Sequence, residues 1–194
     1  MRILFAHCVA ACLVGVIVSP LCRADEKLFI AEPLTSPKEF TSGIEGPACD
    51  AAGNVYAVNF QEQGTIGIVT PRGKGEVFVT LPNKSVGNGI VFDRAGAMLI
   101  ADYVNHNVLK VNMATKQISV FAHHDQMNQP NDLAIGPDEV LWASDPNWGN
   151  STGQLWRIDR QGQVTKVAGD MGTTNGIEVS PDGKTLYVNE SVQR

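Results

Sequence analysis

Beyond its first 24 residues the chain has one cysteine, Cys49, so no disulfide can form within that part. It has no basic stripe and no interleaving of aromatic and basic residues, which argues against nucleic acid as a partner. No segment has a sustained helical period with capping residues. No Ser, His and acidic residue occupy matching positions of a repeat, which argues against a serine hydrolase. A well-packed β fold is the prediction that remains, and we expect Cys49 to be buried in it.

The first 24 residues have the pattern of a secretory signal. Met1 and Arg2 form a basic start, and an apolar stretch follows that ends in small residues. We predict cleavage after Ala24, which makes residues 25–194 a secreted or periplasmic domain without a membrane contact. An uncleaved membrane anchor is the alternative, since the apolar stretch is nearly long enough to span a bilayer. The segment has two arginines and no acidic residue, so its removal makes a chain of net charge −5 more acidic.

Four copies of one pattern follow each other along the chain. Each copy has a polar residue, a short apolar alternation, a turn with Gly or Asp, and a second apolar run. The leading polar residues are Glu45, Asn88, Asn131 and Asn175, at spacings of 43, 43 and 44 residues. A period in the low forties with several strands per repeat is typical of propeller blades.

Two of the repeats divide into four short strands each. Alternating runs separated by Gly, Asp, Asn and Pro are typical of β-hairpins. The predicted strands are residues 89–92, 98–102, 108–112 and 117–122 in the second repeat, and residues 132–135, 140–144, 154–158 and 163–168 in the third. The predicted fold is therefore an all-β propeller of which about three and a half blades are present.

The four leading residues have two interpretations. Each Asn can be a turn residue, because Asn tolerates left-handed geometry and caps locally. In a propeller, however, the first strand of each blade lines the central channel, so residues in register meet at one mouth of that channel. One carboxylate and three amides in register favour a site, and their hard oxygen donors favour Ca²⁺, Mg²⁺ or Mn²⁺ over a structural zinc. His123 and His124 are predicted to be a solvated pair at the end of an outer strand.

Several motifs together resemble the senescence marker protein/gluconolactonase/luciferin-regenerating-enzyme family, which includes regucalcin. They are "EGPACD" from Glu45, "QPNDLAIGPD" from Gln129, "WASDP" from Trp142 and "TNGIEVSPDGKTLYV" from Thr174. The resemblance implies a six-bladed propeller with a divalent cation in its channel. Ca²⁺ is the first choice, with Mn²⁺, Mg²⁺ and Zn²⁺ left open. It also implies hydrolysis of sugar lactones or similar cyclic esters.

The resemblance also assigns roles to residues. It implies Glu45 and Asn175 as metal ligands, and Asn131 as a substrate contact that is also close to the metal, so that Asn131 is predicted as a further ligand. From its register with these residues, Asn88 is predicted to contact the substrate together with Asn131. The family's remaining ligand is an Asp, also proposed as the base, which at this period falls beyond Arg194. Asp102 and Asp145 end their blades' second strands, where they either support the site or cap the strand.

The resemblance covers only part of a propeller. About 150 residues from Glu45 to the end hold three and a half repeats, whereas six need about 260. We therefore expect a C-terminally truncated lactonase, inactive or incomplete alone, with completion of the ring by another chain as a less favoured option. The alternative function is a non-catalytic propeller that binds a ligand or a protein and has a structural calcium site.

Overall fold

The computed structural model describes residues 30–193. The predicted signal sequence, residues 1–24, lies outside the described residues. The chain divides into two units, residues 1–32 and 33–194. In the first unit only residues 30–32 are described, and they are exposed and outside any strand. Within residues 30–193, no helix combines the length and the apolar character that crossing a membrane requires.

The regular structure of the second unit consists of short antiparallel strands and one 3₁₀ turn. The strands are β1 (Ala48–Cys49), β2 (Val55–Val58), β3 (Thr65–Val69), β4 (Gly75–Thr80), β5 (Gly87–Phe92), β6 (Met98–Asp102), β7 (Asn107–Val111), β8 (Ile118–His123), β9 (Leu133–Ile135), β10 (Leu141–Asn147), β11 (Thr152–Ile158), β12 (Val164–Met171), β13 (Thr174–Val179) and β14 (Leu186–Glu190). A 3₁₀ turn, Trp148–Asn150, joins β10 to β11.

These strands form four sheets in chain order. Three sheets have four strands each, β1 to β4, β5 to β8 and β9 to β12, and β13 pairs with β14 in a two-stranded sheet. The inner strands of successive sheets contact one another, as β1 does with β5, β5 with β9 and β9 with β13. This is the arrangement of propeller blades, and the predicted all-β fold class is confirmed.

The turn between the first two strands of each blade requires a left-handed residue. Gly53, Gly96 and Gly183 occupy that position with φ of 80°, 82° and 70°. Glycine suits such a turn because it has no Cβ to clash with the backbone. The third repeat has Glu139 there, with φ of 62°. Because this turn recurs at the same position of each repeat, the repeat is visible in the sequence.

The core lies between the faces of adjacent blades. Strand β6 shows the principle, since its alternate residues enter two different clusters. Met98 and Ile100 pack toward the first blade, whereas Leu99 and Ala101 pack toward the third. All four side chains are buried, which is why this strand is continuously apolar instead of alternating.

Cys49 departs from its predicted burial, because the structure places it in an exposed position. Strand β1 has only two residues, and side chains alternate between its faces. Ala48 packs against the core between the first two blades. Cys49 therefore points to the other face, immediately before a turn. The prediction of a buried Cys49 was wrong.

Candidate functional site

The four leading residues of the repeats line one cavity. It has a volume of about 380 Å³ and lies where the inner strands of the blades begin. Its lining is Glu45, Gly46, Pro47, Asn88, Ile90, Val91, Asn131, Asp132, Leu133, Asn175, Gly176, Ile177 and Glu178. The fold thus brings the four leading residues, which lie more than 40 residues apart in sequence, to one cavity. Their roles as metal ligands and substrate contacts stay predictions.

Glu45 enters the cavity from the segment that precedes β1. Its carbonyl oxygen accepts a hydrogen bond of 3.2 Å from the Val58 amide of β2. Gly46 follows with φ of 55°, and a Cβ at this glycine would lie 1.9 Å from the carbonyl oxygen of Asn88. The backbones of the first two blades therefore approach closely here, and the exposed Glu45 lines the same cavity as Asn88.

Asn88 and Asn175 lie in irregular parts of their strands. The pairing of β5 with β6 shifts between Gly87 and Ile90, and that of β13 with β14 shifts between Thr174 and Ile177. Such irregularities interrupt the ladder and change the direction of a side chain. The Asn175 amide also donates a 2.9 Å hydrogen bond to the Ser191 hydroxyl, which leaves its oxygen as an acceptor.

Asn131 lies just before β9 and is held by its backbone. Its amide donates to the Ser144 carbonyl at 2.9 Å, and its carbonyl accepts from Gly89 at 2.7 Å. The residue is only 6% exposed. Within residues 30–193 its side chain makes no hydrogen bond of its own, and the same is true of the Glu45 and Asn88 side chains. Three of the four predicted side chains thus retain their donors and acceptors for a bound species.

Asp132 and Glu178 also line the cavity, and the pattern of leading polar residues did not reveal them. Asp132 stands at the repeat position that is Gly46, Gly89 or Gly176 in the other copies. Burial raises the pKa of the Asp132 carboxyl, against the opposite effect of two backbone amides that donate to it, and the nearby negative charge of Glu178 raises it further. Among residues 30–193, those that line the cavity include carboxylates and amides but no lysine or arginine.

Asp145 supports the site without lining it. Its carboxylate is completely buried and accepts hydrogen bonds from the backbone amides of Asn128 and Gln129. The side chains of Gln154 and Trp156 donate to it as well, each at 2.7 Å. These bonds fix the segment that leads to Asn131. Asp102 is also completely buried, ends β6 and accepts from Ser85, Val104, Asn105 and Asn107, so it caps its strand. Asp145 does not end its strand as predicted, because β10 continues to Asn147.

The three histidines within residues 30–193 lie outside the cavity lining. His123 is exposed and pairs with Asn107 and Asp125, at 2.8 Å and 2.9 Å. The ring of His124 lies 4.8 Å from the Trp156 ring. His106 hydrogen-bonds the Met127 carbonyl. No group of three or more His, Cys, Asp or Glu side chains in the described part of the chain is arranged to hold a metal. A cation bound by the four leading residues would therefore need amide oxygens as ligands in addition to the Glu45 carboxylate.

The loop after β10 differs from its predicted form. The predicted strands 140–144 and 154–158 leave residues 145–153 as a connector between them, but β10 and β11 continue as a hairpin to Asn147 and Thr152. Trp148 at its tip is 37% exposed and lies outside the cavity lining. Residues 149–153 match the pattern Gly-x-Ser-x-Gly, but Ser151 ends a 3₁₀ turn within this hairpin. In the nucleophile elbow of α/β-hydrolases, which has this pattern, the serine lies instead on a sharp turn from a strand into a helix.

The fold and the cavity together define a β-propeller with a cluster of oxygen donors where its inner strands begin. Residues 44–194 match the family model described as the SMP-30/gluconolactonase/LRE-like region. The chain belongs to this family, and the family predicted from the sequence motifs is confirmed.

Individual relatives and solved structures are similar to this chain as well. A gluconolactonase of Zymomonas mobilis is 24% identical over 195 residues, which cover 87% of this chain and 54% of that protein. A gluconolactonase structure from Xanthomonas campestris has a TM-score of 0.68 at 20% identity, over 81% of this chain and 57% of that one. Regucalcin from Agrobacterium tumefaciens, a calcium-binding protein, has a TM-score of 0.65 at 24% identity, over 80% and 52%. The chain thus spans about half the length of these relatives.

Proposed function

We propose that this chain forms the cation-binding and substrate-binding part of a metal-dependent hydrolase of sugar lactones or similar cyclic esters. The observation that carries the proposal is the convergence of Glu45, Asn88, Asn131 and Asn175 on one cavity in a member of this family. A volume of about 380 Å³ suits a small cyclic ester, since pockets for small molecules start at roughly 300 Å³.

Glu45, Asn131 and Asn175 are the residues that would hold the cation. Their carboxylate and amide oxygens are hard ligands, which suit Ca²⁺, Mg²⁺ or Mn²⁺ better than a soft metal. The chemistry of the donor set fits because the side chains of Glu45 and Asn131 make no hydrogen bond within residues 30–193. A bound cation of this kind polarises a carbonyl as a Lewis acid and lowers the pKa of a bound water.

Asn88 and Asn131 are the proposed substrate contacts. An amide side chain offers both donors and an acceptor, so it can bind the hydroxyl groups and the ring oxygen of a sugar lactone. The described residues that line the cavity include no lysine or arginine. The proposed substrate is therefore an uncharged lactone and not a phosphorylated one.

The general base is assigned to no residue of the cavity. Both oxygens of Asp132 accept backbone amides, from Leu133 at 2.9 Å and from Ile177 at 3.1 Å. Glu178 is exposed, and its carboxylate accepts from the neighbouring Val179 amide at 2.8 Å. These two carboxylates thus accept hydrogen bonds from backbone amides, and we assign the general base to neither.

The test is hydrolysis of δ-gluconolactone by the full chain, followed as proton release in a pH-stat. Because no residue of the cavity is assigned as the base, we expect only a small rate above the uncatalysed one with Ca²⁺ or Mn²⁺, from polarisation of the carbonyl and of a bound water, and loss of this excess with a chelator or with Glu45→Gln. Glu76→Gln is the matched control, because it makes the same chemical change on the exposed surface of β4.

Two outcomes would contradict the proposal in different ways. An excess rate that survives the chelator would contradict metal dependence. Saturable cation binding without any excess rate would favour the alternative function, a propeller with a structural calcium site that binds a ligand or a protein.

A further inference from the structure

Three of the four repeats have a glycine directly after the leading residue. A Cβ at Gly46 would lie 1.9 Å from the Asn88 carbonyl oxygen, and one at Gly89 would lie 2.5 Å from a carboxylate oxygen of Asp132. Real Cβ atoms do not approach other atoms so closely, so the inner strands leave no room for a side chain. Asp132 is the exception, and its carboxylate occupies the space over Gly89 and near Gly176.

The Asp132 carboxylate joins two blades. Its Oδ1 accepts from the Leu133 amide of its own strand, at 2.9 Å, and its Oδ2 accepts from the Ile177 amide of β13, at 3.1 Å. β9 and β13 belong to different sheets and share no ladder of backbone hydrogen bonds. On the other side of β9, the Gly89 amide donates to the Asn131 carbonyl at 2.7 Å. The segment that carries Asn131 is thus tied to both neighbouring inner strands.

Two further hydrogen bonds join the third blade to β13. The Asp145 amide donates to the Thr174 hydroxyl at 3.1 Å, and this hydroxyl donates to the Gln154 carbonyl at 3.4 Å. These bonds lie at β10 and β11, whereas the Asp132 bond lies at the cavity itself. Asp132 follows Asn131 directly, and its partner Ile177 comes two residues after Asn175.

We propose that Asp132 is a positioning residue that fixes the separation of Asn131 and Asn175 across the cavity. This inference rests on the proposed function, because the two amides matter only if they bind the same species. Without the carboxylate, β13 loses its bond to the cavity end of β9 and the amide oxygens are no longer held at one separation. We expect the affinity for Ca²⁺ to fall about tenfold or more, the range reported when a group that orients a ligand is removed.

A general effect of negative charge is the competing explanation, and Glu178 separates the two. Glu178 lines the same cavity and carries the same charge, but its carboxylate accepts from the adjacent Val179 amide and ties no second strand. Glu178→Gln therefore removes a charge and leaves the link between strands in place. It is the matched control for the change at Asp132.

Two substitutions at Asp132 remove the link in different ways. Asp132→Gly inserts the residue that the other three repeats have, so the inner strand accommodates it. Asp132→Asn keeps the size, but its amide group then faces a backbone N–H, because both oxygens of Asp132 accept such groups. We expect both variants to fold and both to weaken Ca²⁺ binding.

The experiment is calorimetric titration of Ca²⁺ into the full chain and its variants, with circular dichroism to verify folding. Hydrogen exchange of the Ile177 amide is the second measurement, and we expect it to become faster in both Asp132 variants. In the background of Asn175→Ala, Asp132→Gly should cost little further affinity, because Asp132 acts through that amide. A purely structural role would leave the affinity of the folded protein unchanged.

Each outcome bears on a different claim. Wild-type affinity in Asp132→Gly, or an equal loss in Glu178→Gln, overturns the positioning role alone. Unchanged exchange at Ile177 overturns it as well. A folded wild-type chain that binds no Ca²⁺ overturns both this inference and the proposed cation site, so the two failures are distinguishable.

Discussion

Replacement of Asp145 by alanine should cause a large loss of stability, because this carboxylate is completely buried and accepts from four groups. The Asn128 and Gln129 amides donate to it at 2.9 Å and 2.6 Å. The Gln154 side chain and the Trp156 indole each donate at 2.7 Å. All four partners are donors, so asparagine at this position cannot replace the carboxylate either.

The magnitude follows from which donors lose their only acceptor. The Gln154 side chain retains a second bond, of 2.6 Å, to the Gln126 carbonyl. Trp156 is 1% exposed, so its indole N–H would be left without an acceptor and without access to water. The backbone amides of Asn128 and Gln129 belong to half-buried residues, so hydrogen bonds to water would replace the lost bonds in part. An unsatisfied buried donor costs about 1–3 kcal/mol, so we expect a total loss of about 3–5 kcal/mol.

Urea denaturation measures this loss. With a slope of about 2 kcal/mol/M, the midpoint should fall by about 2 M, and complete unfolding without urea would also agree with the reasoning. The matched control is Asp125→Ala nearby, whose side chain is 96% exposed and, among the described residues, pairs with His123 alone, and its midpoint should not change. A shift below about 0.5 M in Asp145→Ala would refute the reasoning.

Two further predictions concern the first blade. Gly46→Ala should lower the urea midpoint much more than Gly96→Ala, because both glycines have positive φ but only at Gly46 would the new Cβ meet backbone, 1.9 Å from the Asn88 carbonyl oxygen. Equal shifts would contradict that close approach. Burial, together with the charge and hydrogen bond of Asp50, raises the pKa of Tyr56 to about 12. The folded state therefore holds this proton more tightly than the unfolded state, and its stabilising effect, present below about pH 10, should be lost as the pH rises to about 12. Spectrophotometric titration should show this late ionisation in the wild type, and Tyr56→Phe should abolish both it and that part of the pH dependence.

The features predicted correctly depend on local sequence. Turn glycines such as Gly53 and Gly96 and the alternating runs between them recur at a fixed period, so strand positions followed from the repeat. The position of the four leading residues at one cavity followed from the same register. These features need no knowledge of which strand faces which.

The features missed depend on contacts between distant segments. Burial of Cys49 could not be decided by its apolar surroundings, because β1 is two residues long and its other face packs in the core. The importance of Asp132 depends on how closely β9 and β13 approach, which no local pattern specifies. Its one sequence signal is an aspartate at the position where three repeats have glycine.

The most direct test of the account is calorimetric titration of Ca²⁺ and Mn²⁺ into the full chain and into Glu45→Gln, with circular dichroism to verify folding. We predict saturable binding by the wild type, loss of binding in Glu45→Gln, and wild-type binding in Glu76→Gln. A folded chain that binds neither ion, or a Glu45→Gln variant that binds as tightly as the wild type, would contradict a cation site in the cavity where the inner strands begin.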